Sequence, residues 1–342
     1  MKAFFAKEQQ AHDPQHFMAN GTISRSPEQP ERAERLARGA EAAGLSLHRP
    51  GSPDRGAIAA IHAPEYLAFL KAAHERWQHQ PNASAEVIPN VHPASRQGSY
   101  PASVTGQAGW HMADTACPIG PHTFEAATWA AATALAAAET VLGGERAAYA
   151  LCRPPGHHAF ADMAGGFCFL NNSAIAAQRL RDVHPRVAIL DVDVHHGNGT
   201  QGIFYARSDV LTVSLHADPV RYYPFFWGHA AERGEGPGLG YNLNVPLPRF
   251  SEDDAYLTAL AEASERIEAF APGALVVALG LDAHRDDPLK GLSLTTGGFE
   301  RMGRAIAGLG LPSVIVQEGG YLCDPFQDNL TAFLAGFQSG LG

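Results

Sequence analysis

The segment from Arg186 to Thr200 reads Arg-Val-Ala-Ile-Leu-Asp-Val-Asp-Val-His-His-Gly-Asn-Gly-Thr. Its first part, residues 187–194, is rich in Val, Ile and Leu, as expected for a strand with both faces covered. Two carboxylates and two imidazoles stand at the end of that strand. In an open parallel sheet, ligands bind beyond the carboxyl ends of the strands. The segment therefore predicts a buried strand that leads into part of a functional site.

Four more apolar runs have the length of a strand and end in turn or polar signals. They are residues 147–152, 210–215, 274–281 and 313–317. Helix-like segments alternate with these runs at residues 31–43, 123–141, 172–181, 253–270 and 299–309. Alternation of strands and helices predicts an α/β fold, in which helices cover both faces of a parallel sheet.

The composition is that of a globular protein with a sizeable core. The chain has 342 residues, of which 45% are hydrophobic and 18% charged. Neither a repeat nor a shift in composition divides it, so we expect one domain over residues 1–342. A stretch at about residues 78–107 is rich in proline, asparagine and serine and has little periodicity. It predicts a long loop insertion, and such loops are usually functional or disordered.

The charge and the cysteines limit the classes of partner. The formal net charge of −10 argues against a nucleic acid or an anionic membrane surface, and is compatible with a cationic substrate. Four cysteines without a CxxC pair predict buried reduced thiols. Neither a signal peptide nor an apolar run long enough to cross a bilayer is evident. We therefore expect a cytoplasmic protein that does not bind membranes.

Three residues at predicted strand ends have the chemistry of a metal site: Asp193, His195 and Asp282. Carboxylate oxygens and an imidazole nitrogen suit Zn²⁺, Fe²⁺ or Mn²⁺. Because strand side chains alternate with a period of two, Asp-x-His directs both side chains to one side. Three protein ligands leave a coordination position open, which is typical of a catalytic site. The residues therefore indicate a metal hydrolase.

Other chemically active residues follow other predicted strands. His157 and His158 come after a rigid Pro-Pro-Gly turn, where one imidazole can act as general base and then as general acid. A carboxylate such as Asp191 would keep the other imidazole protonated. Tyr321 follows a Gly-Gly pair and can donate a hydrogen bond to a developing oxyanion. These residues predict proton transfer beside the metal.

Each motif also has an ordinary structural interpretation. A lone Asp-x-His is often only a turn at a strand end, and a lone histidine pair or Gly-Gly-Tyr is weaker evidence still. Their joint placement at strand ends favours an active site. His196, His216 and His284 lie near the motifs, and we assign them supporting roles. We interpret the remaining histidines as surface or core residues.

Six segments carry a more specific likeness. They are Arg153-Pro-Pro-Gly-His-His158, Gly165-Gly-Phe-Cys-Phe-Leu-Asn-Asn172, Asp191-Val-Asp-Val-His-His-Gly-Asn-Gly199, Ser214-Leu-His216, Gly280-Leu-Asp282 with Asp287-Pro288, and Glu318-Gly-Gly-Tyr321. Together they resemble the signature of the arginase–deacetylase superfamily, and more narrowly histone deacetylases and bacterial acetylpolyamine amidohydrolases. The resemblance implies a single deacetylase-like catalytic domain. Its fold would be a three-layer α/β/α sandwich around an eight-stranded, mostly parallel sheet.

The resemblance also implies a role for each residue of the site. The metal ligands would be Asp193, His195 and Asp282, and the catalytic residues would be His158, His157, Tyr321 and Asp191. The substrate channel would be lined by Gly166, Phe167 and Tyr223. The potassium ligands would be Asp191, Asp193, His195, Ser214 and Leu215. Zinc is the expected metal, with Fe²⁺ as the alternative, and K⁺ would be structural. Asn198 would orient His158 without supplying charge, as in class II deacetylases and the polyamine branch rather than class I.

The main functional hypothesis is hydrolysis of an N-acetyl amide to acetate and a free amine. In the acetylpolyamine amidohydrolases that the chain resembles, a long early insertion forms a dimer and narrows the mouth of the site. Residues 78–107 occupy the corresponding place. This favours a homodimer that acts on acetylated polyamines or related small cationic amines. Glu28 and Asp114 are candidates to meet the distal ammonium of such a substrate.

Three alternatives stay open at this point. Residues 282–291 resemble class II deacetylases, which supports a broader acetyl-lysine deacetylase or another small-amide hydrolase. An arginase-type binuclear manganese hydrolase would need further carboxylates and would leave Tyr321 without a role. A catalytically silent binder of acetylated amines would be expected to lack Tyr321, His158 or a metal ligand, and all of these are present.

Overall fold

The computed structural model describes residues 1–342. Its strands are β1 Lys2–Phe4, β2 Phe17–Ala19, β3 Thr22–Ser24, β4 Leu47–His48, β5 Ala147–Ala150, β6 Val187–Asp191, β7 Val210–Ala217, β8 Asn242–Leu247, β9 Ala274–Leu279 and β10 Ser313–Gln317. Its helices are α1 Glu31–Ala42, α2 Arg55–Ala59, α3 Pro64–Gln78, α4 Val104–His111, α5 Thr123–Leu142, α6 Asn172–Arg181, α7 Asn198–Phe204, α8 Asp253–Phe270, α9 Thr296–Ala307 and α10 Phe326–Gly340. Short 3₁₀ helices lie at Lys7–Ala11, Pro219–Arg221 and Gly236–Gly238.

Eight strands form one sheet in the order β4-β1-β5-β10-β9-β6-β7-β8. Every neighbouring pair in it is parallel. Strands β2 and β3 form a separate antiparallel hairpin. All residues of β5, β6, β7, β9 and β10 are buried, which is why these strands read as continuous apolar runs in the sequence. The predicted eight-stranded parallel sheet is confirmed.

Helices cover both faces of the sheet, and each face has its own core. One core contains side chains of α1, α8, α9 and α10, and the other contains those of α3, α4, α5 and α6. Side chains alternate between the two cores along a strand, so Val277 joins the first and Val276 the second. The three-layer α/β/α arrangement is therefore confirmed. None of the helices combines the length and the apolar character that crossing a bilayer requires.

Three strands of the sheet were not predicted: β1, β4 and β8. All three lie at an edge of the sheet or next to one. Strands β1 and β4 have three and two residues, too few for a periodic pattern to show. Strand β8 alternates Asn and Leu and contains Pro246, which an edge strand tolerates. Helices α2, α3, α4, α7 and α10 were also not predicted. In α10 the spacing of Phe326, Leu330, Phe333 and Phe337 nevertheless follows the helical period.

The loop expected at residues 78–107 is shorter than predicted. Irregular backbone extends over residues 79–103, and α4 begins at Val104 with the hydroxyl of Ser103 accepting a hydrogen bond from the N–H of Gly106. A β-bridge between Val87 and Ile119 fastens the loop to the protein body. Arg96 fastens it a second time through Asp162 and the carbonyl of Trp110.

Four segments that contain the candidate catalytic and metal-binding residues lie together at the carboxyl-terminal end of the sheet. Strands β5, β10, β9 and β6 are consecutive neighbours in the sheet. The segments at residues 153–158, 318–321, 280–282 and 191–200 come at or just after their carboxyl ends, in that order. Because the strands are parallel, their carboxyl-terminal ends lie side by side at the same end of the sheet. Residues far apart in the chain thus become neighbours.

Candidate active site

Three buried side chains, those of Asp193, His195 and Asp282, converge beyond the ends of β6 and β9. Their ligand atoms all lie within 4.8 Å of one another. Nδ1 of His195 is 3.1 Å from Oδ1 of Asp193 and 3.3 Å from Oδ2 of Asp282. The structure therefore brings together the three residues that the sequence proposed as metal ligands.

One carboxylate oxygen of this cluster accepts no hydrogen bond. Oδ2 of Asp282 is buried without a hydrogen bond, whereas Oδ1 accepts one from the N–H of Val194. Burial and the negative charge of Asp193 raise the pKa of Asp282. A cation held between the two carboxylates would satisfy that oxygen and relieve the repulsion. Two carboxylates and one imidazole, without a thiolate, fit a divalent metal such as Zn²⁺, Fe²⁺ or Mn²⁺.

Hydrogen bonds from the backbone hold the carboxylate of Asp193 in place. Oδ1 accepts the N–H of His195 at 2.9 Å, and Oδ2 accepts the N–H of Gly319 at 2.8 Å. Burial alone would raise the pKa of Asp193, but the positive charge of His157 and hydrogen bonds from His195 lower it below its usual range. Asp193 is therefore an anion that ties the loops after β6 and β10 together.

His157 is a buried imidazole surrounded by carboxylates. Its Nδ1 is 2.9 Å from Oδ2 of Asp191, and its Nε2 is 3.8 Å from Oδ1 of Asp193. Burial disfavours the charged ring, but the negative charges of Asp193 and Asp191 outweigh it and raise the pKa of His157 to about 10. At neutral pH this imidazole carries a positive charge.

The adjacent His158 has the opposite protonation state. Its Nδ1 lies 2.7 Å from the side-chain oxygen of Asn198. Burial, together with the positive charge of His157, lowers the pKa of His158 well below its usual value. The ring is therefore neutral. With Nδ1 donating to an amide oxygen, Nε2 carries the lone pair that a general base needs.

Tyr321 faces the same site from the loop after β10. Its backbone N–H donates to Oδ2 of Asp287 at 2.8 Å, and its ring packs edge-on against Phe167 at a centroid distance of 5.5 Å. Burial raises the pKa of Tyr321 well above its usual value, so the phenol stays protonated. The guanidinium of Arg32 lies 5.0 Å from the centre of the ring. The phenol is thus a hydrogen-bond donor held by contacts on several sides.

Of the three predicted channel residues, Gly166 and Tyr223 lie beside His158, and Phe167 packs against Tyr321. The ring of Tyr223 is perpendicular to that of His158 at a centroid distance of 4.9 Å. A Cβ atom at Gly166 would lie 2.4 Å from Cδ2 of His158 and 2.8 Å from the Tyr223 hydroxyl, and its φ is +51°. Only glycine leaves this space free. Phe17, which the sequence did not single out, extends the aromatic wall by packing against Phe167 at 5.5 Å.

The residues assigned to potassium also lie close together. Asp191 and Ser214 are paired in register between β6 and β7, with Leu215 next along the strand. Oδ1 of Asp191 accepts the N–H of Asp193 at 3.1 Å, and the hydroxyl of Ser214 is 2.8 Å from Nδ1 of His216. Potassium binding at this position stays a prediction.

Glu28 does not lie at the mouth of the site, and its suggested contact with a substrate ammonium is wrong. The side chain is fully buried. Its Oε1 is 2.6 Å from the guanidinium of Arg32 and 2.9 Å from that of Arg153. Two buried arginines share this carboxylate, and Arg32 also donates to the carbonyl oxygens of Glu318 and Gly320. The sequence shows charged residues near Glu28, but it does not show which of their side chains are buried.

Asp114 is half-buried beside the channel. Its Oδ2 accepts hydrogen bonds from the Tyr223 hydroxyl at 2.7 Å and from the N–H of Gly166 at 3.1 Å. Its Oδ1 accepts the N–H of Ala116 at 2.8 Å. The carboxylate therefore links the Tyr223 hydroxyl to the backbone of Gly166 and Ala116. Its contact with a substrate ammonium stays a prediction.

Glu318 orients the histidine loop, a role that the sequence did not reveal. Its carboxylate accepts the N–H groups of Gly156 at 2.6 Å and His157 at 3.0 Å, and the hydroxyl of Ser173 at 2.7 Å. Burial raises the pKa of Glu318 to about 7. His157, Cys168 and Glu318 also lie within ligand distance of one another. Because the Glu318 oxygens already have three donors, this group fits a metal less well than the Asp193 cluster.

Comparisons with known proteins agree over the whole chain. Residues 26–337 match the histone deacetylase domain family. The chain is 47% identical to acetylpolyamine amidohydrolase of Burkholderia pseudomallei over 338 residues, 98% of each chain. It is 42% identical to the histone deacetylase-like amidohydrolase of Pseudomonas aeruginosa over 250 residues, 70% of this chain and 65% of that relative. The crystal structure of acetylpolyamine aminohydrolase from Burkholderia pseudomallei matches with a TM-score of 0.97 at 47% identity and covers 99% of both chains.

Proposed function

The chain belongs to the histone deacetylase domain family and is a hydrolase of amides, and on this premise we propose that it removes acetyl groups from acetylated polyamines or related small cationic N-acetyl amines. The products are acetate and the free amine. The observation that carries the proposal is the 47% identity, over 98% of each chain, to an acetylpolyamine amidohydrolase. The ring of Tyr223 against His158 and the tight space around Gly166 support a slender substrate.

We assign the metal of this reaction to Asp193, His195 and Asp282. The buried oxygen of Asp282 that accepts no hydrogen bond and the close approach of the three ligand atoms support this assignment. Zn²⁺ is the proposed ion, with Fe²⁺ as the alternative, because both accept mixed oxygen and nitrogen ligands. When bound, such an ion would lower the pKa of a water molecule to about 7 and polarise the substrate carbonyl.

The protein side chains then handle the protons. Nε2 of the neutral His158 takes a proton from the attacking water, because its Nδ1 is already committed to Asn198. His157, held protonated by Asp191 and Asp193, supplies a fixed positive charge next to that ring. The Tyr321 phenol donates a hydrogen bond to the amide oxygen as negative charge develops on it. His158 finally returns its proton to the leaving amine, which completes the hydrolysis.

The remaining features of the proposal concern the surroundings of the site. A cationic substrate agrees with the formal net charge of −10. Residues 79–103 and α4 are the segment by which we propose that the chain forms a homodimer and narrows the mouth of the channel. A structural K⁺ would be held by Asp191, Asp193 and His195 together with Ser214 and Leu215. The proposed place of action is the cytoplasm.

A broader acetyl-lysine deacetylase is the second candidate. The 42% identity to a histone deacetylase-like amidohydrolase over 250 residues favours it. The catalytic chemistry would be the same in both cases. The two candidates differ only in whether the mouth admits a peptide.

Steady-state kinetics of the zinc-loaded enzyme decide between the candidates. The substrates are acetylputrescine, acetylcadaverine, acetylspermidine and an acetyl-lysine peptide, with Tyr321→Phe as a control. A kcat/KM at least 100-fold higher for the small amines, about 3 kcal/mol of transition-state discrimination, supports the main proposal. Equal or better turnover of the peptide supports the second candidate. No turnover of any substrate, in the wild type as in the control, would contradict both.

A further inference from the structure

The imidazole of His195 has one side-chain hydrogen-bond partner in the protein, the carboxylate of Asp193. Its hydrogen bonds involve only the backbone N–H and Nδ1, and both lead to Asp193. No protein group bonds to Nε2. Metal-ligating histidines almost always donate their second ring N–H to a carboxylate, a carbonyl or water, and this bond fixes the plane of the ring. Packing contacts of the His195 ring can fix its plane as well.

Tyr222 provides a flat contact of this kind. Its ring stacks on the imidazole of His195 with a centroid distance of 5.0 Å and an angle of 12° between the planes. Tyr222 is 8% exposed, so the stack is largely shielded from water. A nearly parallel neighbour restricts rotation of the imidazole about its Cβ–Cγ bond, because rotation would drive the ring edge into the phenol.

The phenol is itself fastened at its far end. Its hydroxyl donates to the carbonyl oxygen of Leu289 at 3.1 Å. The guanidinium of Arg249 lies 5.4 Å from the ring centre and donates to the carbonyl of Lys290 at 2.8 Å. A Cβ atom at Gly291 would lie 2.9 Å from the Tyr222 hydroxyl and 2.2 Å from Cγ2 of Val194, so this segment packs directly on both. The stack thus rests on a fixed support.

We propose that Tyr222 is a positioning residue that sets the plane of the His195 imidazole, and with it the direction of Nδ1, by ring stacking. This inference rests on the proposed metal site at Asp193, His195 and Asp282. It assigns two different tasks to neighbouring tyrosines, since Tyr223 lines the channel whereas Tyr222 acts through the ligand behind it.

Metal affinity of purified variants tests the inference without relying on activity. The variants are Tyr222→Leu, which removes the stack, and Tyr222→Phe, which keeps the stack and removes the hydroxyl. Phe226→Leu is the matched control, because Phe226 lies in the same loop and is 85% exposed. The dissociation constant for Zn²⁺ is measured by competition with a chromophoric chelator. The visible absorption of the Co²⁺-loaded proteins reports the geometry of the ligands.

We expect Tyr222→Leu to bind Zn²⁺ about 10- to 100-fold more weakly and to change the Co²⁺ spectrum, as is usual when support of a metal ligand is lost. Tyr222→Phe should stay within about threefold of the wild type, and Phe226→Leu should match it. Thermal unfolding of the metal-free proteins checks that each variant is folded. If Tyr222→Leu is not folded, Tyr222→Met carries the same test.

Two results would overturn the inference. One is a folded Tyr222→Leu, or Tyr222→Met in its place, with the affinity and the spectrum of the wild type. The other is an equal loss in Tyr222→Phe, which would assign the effect to the hydroxyl and not to the stack. Failure of the wild type to bind one metal ion per chain would be a different result, because it contradicts the proposed metal site itself.

Discussion

Nδ1 of His158 donates a hydrogen bond to the side-chain oxygen of Asn198 over 2.7 Å. The neighbouring His157 donates instead to a carboxylate oxygen of Asp191 over 2.9 Å. The two rings are only 4.0 Å apart, so their partners decide which of them is charged. An amide behind one ring and a carboxylate behind the other give a neutral imidazole beside a cationic one.

Asn198→Ala should lower kcat/KM on acetylputrescine about ten- to hundredfold. The reason is that Nδ1 of His158 loses a buried hydrogen-bond partner, which costs about 1–3 kcal/mol. Asn198→Asp has nearly the same size and keeps an acceptor oxygen, so it should retain much more activity. An equal loss in both variants would show that the acceptor is not what matters.

Gly166→Ala should lower kcat/KM by at least about 100-fold. The new methyl group would press on the ring of His158, and a displacement of about 1 Å of a catalytic group is enough for such a loss. Gly236→Ala is the matched control, since Gly236 has the same φ of +51° but nothing within 4 Å of the added Cβ. If both variants lose activity equally, backbone strain and not the contact with His158 would be the cause.

Glu28→Gln should lower the free energy of unfolding by about 3–5 kcal/mol, because Arg32 and Arg153 would then be buried without their shared counter-charge. Glu31→Gln changes the same charge at an exposed position nearby and should have little effect. Urea denaturation measures both. A variant of Glu28 with full stability and an increased KM would return this residue to the substrate site.

His62 should make the protein sensitive to acid. Its Nε2 accepts the N–H of Asn171 at 2.9 Å, and burial lowers the pKa of His62 from 6.5 to about 4. The folded state therefore favours the neutral ring, and the unfolded state takes up the proton first as the pH falls. The stabilisation is complete above pH 6.5 and decreases between pH 6.5 and about 4. At pH 5 the loss is about 2 kcal/mol.

Urea denaturation at pH 7 and pH 5, with a chelator present to remove metal effects, measures this loss. His62→Gln cannot take up the proton, so its difference in stability between the two pH values should be smaller than that of the wild type. His79→Gln alters an exposed histidine and should keep the wild-type difference. The same difference in all three proteins would exclude His62 as the source.

Burial explains which parts of the fold could be predicted. The five central strands are covered on both faces, and their predicted bounds differ from the observed ones by no more than three residues at either end. Strand β8 escaped prediction because its position at the edge allows Asn242, Asn244 and Pro246 within a strand. Helix α10 is different, since its apolar spacing was sufficient to indicate it.

The residues of the site also fall into those that the sequence could predict and those that it could not. Asp193, His195 and Asp282 could be named because they directly follow central strands and belong to motifs with a chemical meaning. Tyr222 could not, because stacking on His195 depends on how a loop of irregular backbone folds back. Glu28 was wrongly proposed as a substrate contact, because nothing in its local sequence indicates that two arginines enclose it.

Strands β5, β10, β9 and β6 are neighbours in the sheet, and they position the reacting groups. The shape of the entrance depends on other segments, so the two properties could be altered independently. The distances between the reacting groups are set by the main-chain hydrogen bonds between the strands, which pair Asp191 with Ala278 and Gln317 with Leu279. Outside the sheet, Phe17 of the β2–β3 hairpin packs against Phe167, and residues 79–103 are the segment that we propose narrows the entrance. Grafting other entrance segments onto the same sheet should therefore retune the length of amine accepted while leaving the turnover step intact.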